Sequence, residues 1–336
     1  METSTVAARR RAWPLLAVLV AVAAYVLAIL LLMWWWDYEP PHFDVQQATE
    51  ARAQRLDARI VTGSVTAATL AAGAQTLLDK RGGYLSNDRL PPGVLMDNVP
   101  NWEFGVLTAT RDLARALRNE FSRSQTQSVE DRDLQEADPL FSSPSDRWML
   151  PSSESQYRKG IGYVDAYFRR LGSGDGAQFY ARADNLADFL QVASARLGSL
   201  SQRLSASVGQ DRIDTDADQP GEAPGQDARA GSLMVKTPWT KIDDNFYEAR
   251  GYTWALRQQL EAIRIDFAPI LRSKNATVSF EQVIRELEES QLPLHSPVVL
   301  NGAPFGFFAN HSLVMANYIS RANAAIIDLR ELLKRG

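Results

Sequence analysis

The chain of 336 residues contains no cysteine. Disulfide frameworks, thiolate zinc sites, iron–sulfur clusters and cysteine nucleophiles are excluded together by that one absence. Histidine is nearly as scarce: His42, His295 and His311 are the only three and lie far apart in sequence. No HExxH, Walker A, GxSxG or GxGxxG pattern can be written from these residues. Asp214, Asp216 and Asp218 space three carboxylates as a calcium loop would, but Gln219 and Gly225 stand where an EF-hand needs Gly and Glu. No metal and no cofactor is expected. Basic charge is not in excess either. The net charge is −4, and since Arg9, Arg10 and Arg11 stand against Glu2 in the first 36 residues, the remainder carries −6. An acidic body lacks the basic footprint that a phosphate backbone demands, so nucleic acid is not expected as a partner.

What the chain does have is a hydrophobic content of 45%, enough for a substantial core, and one long apolar run. Trp13 to Trp36 pass without a charge and span about 36 Å as a helix, enough to cross a bilayer once. A cleaved signal peptide would have a shorter apolar stretch ending in small residues. Here the run ends in Trp34, Trp35 and Trp36, rings suited to the headgroup level, and Trp13 opens it. The expectation is an uncleaved anchor of residues 13–36 with the lipid bilayer as its partner. Arg9 to Arg11 precede it and Asp37, Glu39 and Asp44 follow, so the positive-inside bias puts a basic tail of residues 1–12 in the cytoplasm and the rest across the membrane.

Residues 37–96 read as a Pro-rich joint, a polar stalk helix over 45–60 and a first apolar-faced helix ending at Gly82-Gly83. Beyond them the sequence repeats itself. "DNVPNWEFG" (Asp97 to Gly105) returns as "DDNFYEARG" (Asp243 to Gly251), and a shift of 146 aligns Gly105 with Gly251, Arg111 with Arg257, and "ALRNEF" with "AIRIDF". At a shift of 129, Leu186, Leu190, Ala193, Leu197, Leu200 and Leu204 keep the same heptad phase as Met315, Ile319, Ala322, Ile326, Leu329 and Leu333. The middle helices start at candidate capping boxes, Ser153 with Gln156 and Ser279 with Gln282. The expected fold class is all-α: the anchor followed by a helical bundle of two similar three-helix units, 97–208 and 233–336, related by a pseudo-twofold axis. An acidic, Gly- and Pro-rich linker, 209–232, is expected to be disordered.

The stretches "GGYLSNDRLPPGVLMDNVPNWEFGVL", "QFYARADNL" and "RLGSLSQRLSASVG" resemble a family of uncharacterised bacterial inner-membrane proteins catalogued as a domain of unknown function. The resemblance covers nearly the whole chain. It implies a Gram-negative source and an envelope location, and it brings no catalytic residues.

Two carboxylates carry the only catalytic reading. Glu103 and Glu248 fall in similar places of the two copies, and facing each other across a cleft they would act as acid and base on a cell-wall glycan without metal. The plainer account pairs them with arginines and the helix dipole, and it is the one adopted. Trp102 with Arg111, and Trp254 with Arg257, are the candidate binding residues; Trp148, Trp239, Tyr163, Tyr167, Phe168 and Tyr180 extend an aromatic groove or else fill the core. The expected function is a scaffold or binding module in envelope organisation, with an envelope protein or the cell wall as partner. Pairing of the two heptad faces between chains, giving a homo-oligomer, is a further expectation.

Overall fold

The computed structural model describes residues 3–124, 129–213, 232–296, 298–304 and 306–335. Its helices are α1 (Thr3–Trp36), α2 (Val45–Leu56), α3 (Ser64–Asp79), α4 (Asn98–Ala116), α5 (Arg132–Phe141), α6 (Ser153–Ser173), α7 (Ala183–Ser205), α8 (Ile242–Asp266), α9 (Ala268–Ser273), α10 (Thr277–Glu289) and α11 (His311–Lys334). Strands β1 (Gln210–Ile213) and β2 (Ser232–Val235) form an antiparallel ribbon. The all-α expectation therefore needs this one amendment, and the ends of the expected linker are paired strands. Residues 214–231, with Asp214, Asp216 and Asp218, lie outside the described residues.

Helix starts follow side-chain chemistry. Asp44 accepts from the Gln46 and Gln47 amides at α2, Asp131 from those of Asp133 and Leu134 at α5, and Asn310 from Leu313 at α11; each satisfies a donor that a first turn leaves without a partner. The expected capping boxes are displaced. Ser152 caps α6, one residue early, and α10 begins two residues before Ser279 with no side-chain cap.

Helix α1 contains a segment, Leu15–Trp36, long and apolar enough to cross a membrane, with mean hydropathy 3.1 and none of it buried in the protein. The body is built around α4 and α8. Asn101 donates to Asp244 at 2.9 Å and Gln259 to the Ala109 carbonyl at 3.0 Å, so the two helices run parallel. Their contact is backbone to backbone: a Cβ on Gly105 would land on the Glu248 carbonyl oxygen, and one on Gly251 on the Trp102 carbonyl oxygen. Under the 146-residue shift Gly105 corresponds to Gly251 and Trp102 to Glu248, so the contact is reciprocal. This is why the motif is written twice: two helices meet at the same pair of positions, where only glycine fits.

The symmetry stops there. Arg196 meets Asp112 at 3.0 Å and Asn185 meets the Glu120 carbonyl at 2.9 Å, so α7 runs antiparallel to α4. Arg257 meets Glu288 at 3.2 Å and Arg321 meets Glu286 at 2.7 Å, so α10 reverses the chain and α11 runs parallel to α8. Helices α7 and α11 are thus neighbours of opposite direction. Ser194 bonds Asn323 and Ser201 bonds Ser320, both at 2.6 Å, and Arg330 bonds Gln191 at 2.7 Å. Their in-phase apolar ladders are buried within one chain, which removes those faces from contact between chains. The middle helices differ as well, with α6 packed on α3 and α5, and α10 on α8 and α11.

Two further elements depart from expectation. Helix α2 is no free stalk: Val45 and Ala53 are buried, and the buried Arg52 forms an ion pair with Asp165 of α6. Helix α3 begins on a carboxylate from the far end of α8, where Asp266 accepts from the Gly63 and Thr66 amides at 2.8 Å and the Thr66 hydroxyl at 2.7 Å. Phe121, Phe179, Phe189 and Phe267 pack at 5.2–6.0 Å to close that end.

Gly105→Ala or Gly251→Ala forces α4 and α8 apart and is expected to cost about 1–3 kcal/mol or more. Gly73→Ala, on α3 with nothing within 4 Å of the added methyl, is expected to be neutral or to stabilise by up to about 1 kcal/mol. Urea denaturation of the detergent-solubilised chain distinguishes them; equal midpoints for the three variants would contradict the close crossing.

Candidate functional site at the neck of the helical body

Where α1 ends, the chain turns through Asp37 to Asp44 past the start of α4 and along α8 from Arg250 to Gln258. Its exit is gripped from one side: Arg81 lies over the Trp35 ring at 4.3 Å and the Tyr38 ring at 4.0 Å, and Gly82 leaves no room beside the Trp36 indole. From the other side Arg250 of α8 holds Glu39 through two nitrogens at 2.6 and 2.8 Å, and its Nη1 donates to the Leu292 carbonyl at 3.0 Å. Between these grips lies a cavity of about 560 Å³, walled by the 37–42 strap, Trp102, Tyr247, Arg250, Trp254, Gln291 and Leu294. Its size and its mixture of aromatic walls with a few polar groups are those of a small-ligand or peptide-segment site.

The indole pair is the floor. Trp102 and Trp254 meet edge to face at 5.2 Å, the His42 ring stacks on Trp254 at 5.7 Å, and Trp254 Nε1 donates to the Pro40 carbonyl at 3.0 Å. Two buried polar atoms of the cavity lining have no protein partner, Trp102 Nε1 and His42 Nδ1. Buried donors and acceptors are normally satisfied, so both are available to a bound group. Burial pushes the His42 pKa down to about 4, helped by Arg257 and Arg250. Burial raises that of Asp37, with Glu39 and Asp97 adding repulsion.

Of the residues expected to bind, Trp102 and Trp254 are thus brought together at one cavity. Arg111 and Arg257 are not part of it. Arg111 donates to the Phe141 and Ser143 carbonyls, both at 2.8 Å, and so fastens the end of α5. Arg257 pairs with Glu288 and lines a neighbouring shallow site with His42 and Arg264. Tyr167 and Phe168 are core, while Trp148 and Trp239 are exposed. Trp34, Trp35 and Trp36 close α1 as expected; Arg9, Arg10, Arg11 and Trp13 lie on its first turns.

The two glutamates do not face each other. Glu103, fully buried, accepts from the Leu85 and Ser86 amides at 2.8 Å and from the Ser86 hydroxyl, and pairs with Lys80 at 2.6 Å. It nails the 80–88 loop to α4. Burial raises its pKa against the pull of Lys80. Glu248 points to α7 instead, where Arg203 takes both its oxygens at 2.6 Å. Among the described residues no group of three or more His, Cys, Asp or Glu is disposed to hold a metal ion.

Sequence reasoning missed Glu39, His42 and Arg250. The strap read as a joint and Glu39 as a topology charge; the one signal was Arg250 inside the repeated motif.

Glu103→Gln leaves the Lys80 ammonium buried without its anion and is expected to cost about 3 kcal/mol. Glu248→Gln, whose partner Arg203 is 40% exposed, is expected to cost about 1 kcal/mol or less. Chemical denaturation measures both, and the reverse order would refute the assignment of Glu103 as a structural hub. For His42, folding depresses the pKa, so its contribution to stability is present above 6.5 and is lost as pH falls toward about 4. An NMR titration of the three histidines should find one imidazole changing near 4; if His42 titrates near 6.5, the strap is not packed as described.

The chain matches no curated protein and no solved structure. One family does match, over residues 8–336, so that the apolar helix is included along with the body. The chain therefore belongs to the bacterial family described as "Uncharacterized protein conserved in bacteria (DUF2333)".

Proposed function

We propose that the protein is a single-pass inner-membrane protein with its N-terminus in the cytoplasm and its helical body in the periplasm. There it serves as a scaffold or binding module in cell-envelope organisation. The observation that carries this reading is the neck. A helix fit to span a bilayer ends in a tryptophan collar, and the strap after it is wired to the core by Glu39 and Arg250 beside a cavity with two unused polar atoms. A protein that merely tethered an enzyme would need only a flexible joint. Here the strap that leaves the anchor is itself a wall of the cavity, so a ligand or partner segment seated on Trp102 and Trp254 is read next to the anchor's exit. We further infer that the likeness of α4 and α8 records a duplicated element kept as the central pair of that module.

The metal-independent glycan-acting alternative keeps Glu103 and Glu248 as its acid and base. It is less well supported, because Lys80 and Arg203 occupy them separately.

The topology is tested by truncating the chain after Phe43 and fusing a reporter that works only outside the cytoplasm; an active fusion is expected, and an inactive one reverses the orientation. Mixing the full chain in detergent with isolated cell-wall sacculi separates the functions. Co-pelleting without release of soluble fragments supports a wall-bound scaffold, and release that depends on Glu248 overturns it in favour of the enzyme. Neither result directs the cavity to an envelope protein.

A further inference from the structure

The exposed aromatic residues of the body are not spread over it. Among the described residues after the strap, four aromatic side chains are more than half exposed: Trp148, Trp239, Phe307 and Phe308, at 57%, 84%, 97% and 68%. All four lie on loops at the end where α1 leaves. The helix directions place them there. α4, α6, α8 and α11 begin toward that end, α3, α7 and α10 run back to it, and α5 points toward it but stops beside Arg111 of α4. Trp148 lies on the 142–152 loop, which is tied to the anchor-side loop by Tyr84 to the Ser145 carbonyl at 3.0 Å and Asn87 to the Arg147 carbonyl at 2.9 Å. Trp239 immediately precedes α8, beside the start of α4. Phe307 and Phe308 tip the 301–310 loop, which Asn301 ties to the Ser207 carbonyl at 3.1 Å.

Aliphatic side chains complete the surface. Leu150 is 97% and Leu90 77% exposed on the same two loops, and Leu95 belongs to the loop that touches Met33 and Trp34 of the anchor. At the opposite end the exposed large apolar residues are valine and isoleucine, without an aromatic. A soluble surface does not gather Trp, Phe and Leu at loop tips on one end without a use for them. Exposed tryptophan and phenylalanine on the end that carries α1 are the composition of a membrane–water interface.

We infer that the anchor-side loops are a second membrane contact, through which the body sits against the outer face of the bilayer that α1 crosses. The inference rests on α1 being a transmembrane anchor. The occupant of the surface is lipid, because the patch begins at the exit of the anchor, where Leu95 lines a pocket with Met33 and Trp34. Arg89 and Arg147 stand beside Asp88 and Asp146, and of the two lysines flanking Trp239, Lys241 pairs with Asp244 at 2.7 Å, so most of the basic charge on these loops is matched. Seating is by apolar insertion, and neutral phosphatidylcholine suffices.

The absence of native cysteine makes the test direct. Leu150→Cys, Phe307→Cys, Val278→Cys and Leu19→Cys each give a single thiol for an environment-sensitive fluorophore. The full chains are reconstituted in phosphatidylcholine vesicles containing spin-labelled lipid. The probe at 19 reports the anchor; those at 150 and 307 report the loops; that at 278, on α10 at the far end and 71% exposed, is the aqueous control. Quenching at 19, 150 and 307, several-fold greater than at 278, is expected and should persist in high salt. Quenching at 19 alone overturns the second contact and leaves the anchor standing. Absence of quenching at 19 overturns the anchor and the inference with it. Equal quenching at 278 overturns the orientation. As a variant that does not depend on labelling at the patch, Trp148→Glu with Leu150→Glu is expected to release the probe at 307 while leaving that at 19 unchanged; undiminished quenching at 307 refutes a shared surface.

Discussion

The close approach of α4 and α8 is the constraint on which the rest of the molecule depends. Because Gly105 and Gly251 present no side chain, the backbones touch, and the residues one turn away are forced into the same small region. Trp102 and Trp254 are therefore adjacent indoles, and the strap that follows α1 crosses this edge-to-face pair. Parallel direction is set by the same contact. Two helices that start together leave their preceding loops together as well, and the end of α1 lies against one of those loops.

Around this pair the molecule spends its buried charge on long connections. Glu103 fixes the loop that precedes its own helix, about twenty residues back, Asp266 caps a helix about two hundred residues away, and Arg250 reaches back to Glu39 just past α1. Such pairs contribute less net stability than their distances suggest, since each ion gives up its hydration. Their effect is on uniqueness: removing either partner leaves an unmatched charge in the interior, so alternative arrangements of these many similar helices are penalised.

Much of this was legible in the chain, and the boundary of legibility is physical. An uncharged run of helix-spanning length, ended by three tryptophans, identifies itself locally. So does the repeated glycine motif, whose two copies proved to meet. The direction of α7 relative to α11 could not be read, because a heptad stripe looks the same to a neighbour running either way. The glutamates misled for a related reason. Sequence position shows that a carboxylate lies early in a helix but not which cation, one turn or a hundred residues off, will face it. His42 and Glu39 went unseen because a Pro-rich joint has no periodicity to betray that it is packed.

The strap has a mechanical meaning. A pull along α1 does not reach a slack hinge; it meets the Arg81 grip on the collar and then the Glu39–Arg250 pair, which passes the tension sideways into α8 and the end of α10. Beyond the ion pair the strap is held again, by the Trp254 indole on the Pro40 carbonyl at 3.0 Å and by the Phe43 amide on Gln258 at 3.1 Å. A displacement of α1 is thereby passed to the helical body at several points rather than absorbed in a joint.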